Sequence, residues 1–307
     1  MELYDRTRAQ GVRFQWLTFD EWYGGQRPFL RALNARQQKF VAEIPKDFRA
    51  WLDRPRVVRH PFSRGRRARA PTVARLAAGS RPTQTVQQLA QMHRALAAQA
   101  WQTWRIRHTH KGPLVWHVKQ VLIYLPDQGG PQTSAGGAEG PYHLVVCTHP
   151  LSGEVKYFLS NAPANAPWKM LLHGAFDRWR IERCFEDGKG EVVLDHWEGR
   201  RWLGLKRHLI LTSVSYLFLA RTYHRPRKKN PDWTVCQMRM VADVFVLGWL
   251  LPEETRADLF AETACHIEYY QQRNAAARAS HMRSTMAKLH RQGITLSTLP
   301  RCDQDTS

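Results

Sequence analysis

The sequence predicts an α/β fold, and three observations support this class. The first 50 residues read as strand, helix, strand, which is typical of an α/β unit with a parallel pair of strands. A central region alternates apolar and polar residues as strands do. From Trp168 onward, apolar residues recur with helical spacing. We therefore expect a sheet flanked by helices and followed by a helical C-terminal region.

The first predicted elements surround a short acidic turn. In order, they are a helix over 2–10, a strand over 12–19, a helix started by Pro28 and a strand over 40–44. Gly11 ends the first helix, and Asp20 directly follows the first strand. Leu30 and Leu33 give the second helix its apolar side.

The middle of the chain is basic and rich in predicted strands. Seven arginines lie between Arg54 and Arg69, and they fit either a solvated loop or an arm that contacts phosphates. Residues 84–107 predict a polar helix. Its inner face would carry Leu89, Met92, Leu96 and Trp104. A low-complexity connector covers 126–141, and strands are predicted at 114–125, 143–148 and 155–159.

Two stripes mark the helical region after Trp168. One apolar face carries Trp168, Leu171, Leu172, Ala175, Phe176 and Trp179. A second stripe beside it carries Arg178, Glu182, Phe185 and Lys189, and Gly188 and Gly190 are expected to end the helix. By spacing alone, this second stripe fits an ordinary surface helix with ion pairs.

The rest of the chain is predicted to be helical. We expect a buried helix over the apolar run 209–219, followed by helices over 235–250 and 253–290. The chain then divides into four regions. These are a core part over 1–50, a basic and β-rich region over 51–165, a core helix region over 166–225, and a helical basic region over 226–307.

Composition narrows the function classes. Lys and Arg total 46 against 26 Asp and Glu, so the net charge is +20 and an anionic polymer is a plausible partner class. The 43% hydrophobic content excludes wholesale disorder. Five separated cysteines argue against a disulfide framework and a zinc site, and they fit the cytoplasm. No apolar run follows the first residues, so no signal peptide is expected, and the longest apolar stretch, 209–220, is too short to span a membrane.

One segment resembles a known family. Arg178, Glu182 and Lys189 have the spacing of the Y-x-x-R-x-x-x-E-x-x-x-x-x-x-K signature of bacterial insertion-sequence transposases with a DDE triad, and Ala175 stands at the Tyr position. The run from Leu194 to His208, L-D-H-W-E-G-R-R-W-L-G-L-K-R-H, is similar to the insertion-sequence 701 branch of this group.

The same resemblance extends to the start of the chain. This family places a catalytic Asp in an x-x-Asp-x-x-Tyr-Gly turn after a hydrophobic strand, and residues 18–24 read T-F-D-E-W-Y-G. Asp20 therefore takes the family role, and Glu21 does not. The resemblance covers residues 1–50 and 141–225.

The resemblance implies an RNase H-like mixed sheet with a β-rich insertion between the second Asp and the Glu. It implies hydrolysis and strand transfer at DNA phosphodiesters with two Mg²⁺ or Mn²⁺ ions, for which Asp20 and Glu182 would be catalytic residues and metal ligands. The expected partner is double-stranded DNA at transposon ends and targets, bound by a homo-oligomer. The two carboxylates are then expected to converge on one cleft.

Six basic residues are candidate DNA contacts. They are Arg178, Lys189, Arg200, Arg201, Lys206 and Arg207. The last four also fit helix capping or a solvated surface. Trp202 fits either stacking on a base or a core position. His196, His208 and the pair His108 and His110 receive no catalytic role.

One carboxylate of the family triad has no counterpart. Only Glu2 and Asp5 precede Asp20, and both lie in a predicted helix rather than at a strand end. We therefore expect an N-terminally truncated transposase that binds DNA but is inactive alone. The alternatives are a catalytically inactive DNA-binding regulator or remnant and, less favoured because no RNA-binding motif occurs, an RNA-binding protein.

Overall fold

The computed structural model describes residues 1–58, 75–77, 79–126, 138–227 and 233–302, and the chain divides into two compact units. Unit 1 comprises Met1–Thr109, Pro113–Arg178 and Ala287–Ser307. Unit 2 comprises His110–Gly112 and Trp179–Met286. Most of the predicted connector, at 127–137, and most of the arginine-rich segment, at 59–69, lie outside the described residues.

Unit 1 is a mixed sheet with helices. The strands are β1 (Trp16–Phe19), β2 (Lys39–Ile44), β3 (Arg49–Ala50), β4 (Val57–Val58), β5 (Arg75–Leu76), β6 (Gln84–Thr85), β7 (Gln102–Thr109), β8 (Gly112–Pro126), β9 (Ala138–Thr148) and β10 (Val155–Ser160). The six-stranded sheet has the order β1-β2-β10-β9-β8-β7. The two-residue strands pair separately, β3 with β6 and β4 with β5. The mixed α/β class predicted from the sequence is confirmed.

The predicted parallel pair is present. β1 runs parallel to β2, with Phe19 opposite Ala42, and β2 then pairs antiparallel with β10. The helices of unit 1 are α1 (Glu2–Ala9), α2 (Glu21–Gly24), α3 (Arg27–Ala35), α4 (Val86–Met92), α5 (Arg94–Ala97) and α6 (Trp168–Phe176). Pro28 occupies the first turn of α3, where its missing N–H costs nothing.

Alternation along the strands separates two cores. Phe40 and Ala42 of β2 pack in one cluster with Leu30 and Leu33 of α3, whereas Val41 packs in another with α6. Successive strand residues point to opposite faces, so these clusters lie on the two sides of the sheet. In α6, Leu171, Leu172 and Ala175 are buried as predicted. Helices therefore cover both faces of the sheet.

The helix predicted over 84–107 is wrong. The capping box of Thr85 and Gln88 starts α4, but His93 has an extended backbone, and Met92 is 76% exposed. The remaining residues form α5 and the strand β7, which joins the sheet beside β8. The aromatic and β-branched residues of 102–109 gain more from sheet pairing than from continuing a helix.

The continuous helix predicted from Trp168 to Lys189 is also wrong. α6 ends at Phe176, and α7 (Trp179–Val192) starts after a break at Asp177 and Arg178. Arg178 therefore does not lie on the helical stripe of Glu182. Gly188 and Gly190 lie inside α7 rather than at its end, and Val193 follows the helix with a positive φ of 53°.

Unit 2 is helical. It contains α7, α8 (Trp202–Arg227), α9 (Val235–Gly248) and most of α10 (Glu253–Arg291), and a 3₁₀ turn at Leu296–Thr298 follows in unit 1. The two helices predicted after 235 are confirmed. No helix among the described residues is long and apolar enough to cross a membrane.

The buried helix predicted over 209–219 is wrong as to burial. α8 contacts α7 and α9 and buries Thr212 and Leu219, which are seven residues apart on one side. Ile210, Leu211 and Phe218 are 60–66% exposed. A helix with apolar residues on all sides is usually buried on all sides, but α7 and α9 cover only one narrow side of α8.

Candidate functional site

Asp20 is placed by the junction between β1 and α2. It is the N-cap of α2, and its Oδ1 accepts a hydrogen bond from the Tyr23 amide at 3.3 Å. Its backbone is extended, with φ −79° and ψ 179°, which ends the strand and starts the helix. The carboxylate is half-buried, whereas Glu21 beside it is exposed. The structure therefore gives the two neighbouring acids different positions, as the motif suggests.

Gly24 explains why this turn contains a Tyr-Gly pair. A Cβ atom at Gly24 would lie 1.9 Å from the carbonyl oxygen of Glu43, so only glycine lets α2 approach β2 this closely. The contact fixes the turn that carries Asp20 against the sheet. Glu43, which follows Ala42 in the register, forms a 2.9 Å ion pair with Lys156. Its carboxylate thereby already has a cation.

Glu182 lies in the first turn of α7. It is exposed and belongs to unit 2, whereas Asp20 and Arg178 belong to unit 1. Lys189 is exposed on the same helix. Seven residues separate Glu182 from Lys189, so they share one side of α7 about 10 Å apart along its axis. The convergence of Asp20 with Glu182 stays a prediction.

A polar network holds α7 within unit 2. Asp187 is buried, and its Oδ1 lies 2.7 Å from Arg183. Glu191 forms a 2.9 Å ion pair with Arg239 of α9. Burial raises the pKa of the Asp187 carboxyl, and the nearby Arg183 guanidinium offsets part of this shift. The negative charge of Asp187 therefore lowers the stability of the folded state.

We expect Asp187→Asn to stabilise unit 2 at pH 7. Because burial raises the folded pKa above the ordinary 3.8, ionising this carboxyl costs more in the folded state than in the unfolded state, and Asn removes the charge. The contribution of Asp187 to stability falls as pH rises through the raised pKa. Urea unfolding at pH 4.5 and pH 7 measures this, with Glu262→Gln, an exposed acid of α10 away from Arg183 and Asp187, as control. A variant less stable than the wild type at pH 7 would show instead that the Arg183 pair outweighs burial.

The side chains of the basic run before and within α8 are exposed to solvent. Arg200, Arg201, Lys206 and Arg207 are all exposed. Cations near a helix N-terminus oppose the helix dipole, so helix stabilisation does not account for them. This weakens the capping alternative left open by the sequence. A helix N-terminus and nearby cations both attract phosphate, and contact with DNA stays a prediction for this run, beside a solvated surface.

Trp202 is not a core residue. It is 67% exposed, and the Lys206 ammonium lies 5.3 Å from its ring centroid. His208 instead packs its ring 5.6 Å from that of Trp197, and its Nε2 lies 3.3 Å from the Leu194 carbonyl. His196, His108 and His110 are exposed. All five cysteines are free, as predicted.

Sequence reasoning missed the residue that shapes the basic run. Cβ atoms at Gly199 and Gly204 would lie 2.3 and 2.5 Å from the Trp197 ring, so this ring fills the space that both glycines leave open. The two glycines lie on either side of Arg200 and Arg201 in the sequence. Two glycines within the seven residues that follow a tryptophan were the available signal.

Three arginines line a second basic feature, in unit 1. Arg54, Arg56 and Arg81 surround a cavity of about 190 Å³ that also contacts Trp51. Arg54 and Arg56 begin the arginine-rich segment. Both interpretations of that segment, a loop and a phosphate-contacting arm, stay open.

A two-metal centre needs oxygen ligands that neutralise its cations. Carboxylate oxygens such as those of Asp20 suit Mg²⁺. Within the described ranges, however, no group of three or more His, Cys, Asp and Glu side chains is close enough to hold a metal ion. Two metal ions need several converging carboxylates.

The first third of the chain is similar to a known protein family. Residues 1–113 match the family model described as DDE superfamily endonuclease. No curated protein matches the chain. The family match includes Asp20 and its turn but ends before Glu182 and the basic run, whose roles stay predictions. The match supports a DDE-type transposase family, with nuclease chemistry on DNA, for the part of the chain that carries Asp20.

Proposed function

We propose that the chain is the transposase of an insertion sequence of the 701 type, with an RNase H-like core, and that it acts on double-stranded DNA. The observation that carries the proposal is Asp20 at the end of a strand in a parallel pair, inside the region similar to DDE endonucleases. A carboxylate at a strand end is rigid and faces outward, which suits chemistry at a phosphodiester.

In this proposal, Asp20 and Glu182 are the two carboxylates of the reaction site. When bound, Mg²⁺ or Mn²⁺ would neutralise charge on the scissile phosphate. Arg178 and Lys189 would hold phosphate oxygens, and Arg200, Arg201, Lys206 and Arg207 would contact the DNA backbone. The transposon ends and the target are the DNA partners, and a homo-oligomer would bring two ends together. Free cysteines support a cytoplasmic location.

A second candidate function follows from the acidic residues before Asp20. Glu2 and Asp5 both lie in α1, not at a strand end. Asp5 accepts two hydrogen bonds from Arg36, at 2.7 and 2.8 Å, and this partner lowers the pKa of its carboxyl. Neither acid is placed as the first Asp of a triad. The chain alone would then be a DNA-binding remnant or regulator.

The experiment incubates the purified chain with Mg²⁺ or Mn²⁺ and a duplex taken from the DNA that flanks its own coding sequence. We expect binding to this duplex in preference to RNA, with little strand cleavage. Variants Asp20→Asn and Glu182→Ala test the site. Asn retains the N-cap of α2, and Glu21→Gln is the matched control because it is exposed one residue away.

Two outcomes would contradict these proposals. Robust cleavage that is lost in Asp20→Asn and Glu182→Ala but kept in Glu21→Gln would show that a third ligand exists, so the incomplete triad would be wrong. Equal binding to RNA and duplex DNA would exclude the transposase itself. A crystal structure with the Asp20 and Glu182 carboxyl groups on opposite faces would also do so.

A further inference from the structure

A buried lysine lies in the sheet of unit 1. Lys119 of β8 is only 6% exposed, and its Nζ donates a hydrogen bond to the Leu96 carbonyl at 2.6 Å. The same Nζ lies 4.6 Å from the ring centroid of Trp101. The Lys119 ammonium therefore contacts one carbonyl oxygen and one aromatic face.

These partners do not balance a buried positive charge. No ion pair to Lys119 occurs among the described residues, although Lys156 on the neighbouring part of the sheet is paired with Glu43. Burying an ion lowers the stability of the folded state unless an opposite charge compensates it. An ammonium also has three N–H donors, of which the Leu96 carbonyl uses one.

Lys119 lines a cavity of about 110 Å³. One water needs about 10–15 Å³ by this kind of measure, so the cavity can hold a larger group. Its walls include Trp101, Thr148 and Tyr157, with Leu96 and Val146 as apolar neighbours. Burial raises the pKa of the Tyr157 phenol, which therefore stays protonated at neutral pH and can donate a hydrogen bond.

We propose that this cavity binds a small oxyanion, a phosphate group, with Lys119 as its counter-ion and the hydroxyl groups of Thr148 and Tyr157 as further donors. The phosphate is either free inorganic phosphate or the terminal phosphate of a DNA strand. The site is separate from the carboxylates of the proposed function and does not depend on them.

The experiment titrates inorganic phosphate into the full chain at constant ionic strength and measures binding by calorimetry. We expect saturable binding that Lys119→Met weakens at least tenfold, because the variant removes the buried cation that lines the cavity. Lys39→Met is the matched control, since Lys39 also lies over a tryptophan, Trp16, but is exposed. It should leave phosphate affinity unchanged.

Tyr157→Phe provides a second variant that keeps the packing. Loss of one hydroxyl donor should weaken phosphate binding about two- to tenfold. Competition separates the two sources: a 5′-phosphorylated oligonucleotide that displaces phosphate, while its unphosphorylated form does not, identifies a strand end. If neither displaces it, free phosphate is the ligand. Absence of saturable binding to the wild type, or unchanged affinity in both Lys119→Met and Tyr157→Phe, would overturn the proposal.

Discussion

DNA affinity is expected to fall about 10³-fold when salt rises from roughly 50 to 200 mM. The six basic residues assigned to DNA would release about one counterion each, and such a set gives a slope of log affinity against log salt near −5. The net charge of +20 and the exposed run in α8 support this expectation. Fluorescence anisotropy with a labelled duplex at several salt concentrations measures the slope.

A variant with four substitutions tests which cations cause the salt dependence of DNA binding. Replacing Arg200, Arg201, Lys206 and Arg207 by Ala should reduce the slope by about 3 to 4, because each phosphate contact contributes about 0.9. The control removes four exposed cations of unit 1 with the same change in net charge. They are Arg6, Lys46, Arg94 and Lys169. Equal slopes for the two variants would show that the net charge, and not the basic run, attracts DNA.

Gly24→Ala should destabilise unit 1 by about 3 kcal/mol or more. The added methyl group would meet the Glu43 backbone oxygen at 1.9 Å, and backbone atoms cannot move aside as a flexible side chain can. α2 would have to shift away from β2, and Asp20, its N-cap, would shift with it. Urea unfolding followed by circular dichroism measures the loss.

Gly25→Ala is the matched control for this change. A Cβ atom at Gly25 would lie 3.4 Å from its nearest neighbour, the Glu21 carbonyl oxygen, and the backbone there is already helical. We expect a change within about 0.5 kcal/mol. An unchanged unfolding midpoint for Gly24→Ala would mean that α2 does not need the close approach seen here.

Several features of the fold and site could be read from local sequence. The strand before Asp20, the helix started by Pro28 and the buried pair Leu171 and Leu172 all follow from apolar periodicity. Such patterns are sufficient where one element has one clear buried side. The motif around Asp20 also separated it from Glu21, since the two residues differ in their offset from the Tyr-Gly pair.

Elements with weaker patterns were decided by tertiary structure. Residues 102–109 are a strand because the edge of the sheet offers them hydrogen-bond partners, and local spacing alone also fitted a helix. The exposure of Trp202 and of much of α8 depends on how few helices pack against that segment. Hydrophobic composition shows what can be buried, but not whether a neighbour covers it.

By itself, the sequence determined the charge that favours an anionic partner, the α/β class and the position of Asp20 at a strand end. Only the tertiary structure decided that Gly24 touches Glu43, that Trp197 fills the space beside Gly199 and Gly204, and that Lys119 is buried beside a cavity. The physical reason is the distance along the sequence between the residues that interact. Periodicity and motifs report on residues a few positions apart, whereas these contacts depend on residues brought together by the packing of separate elements.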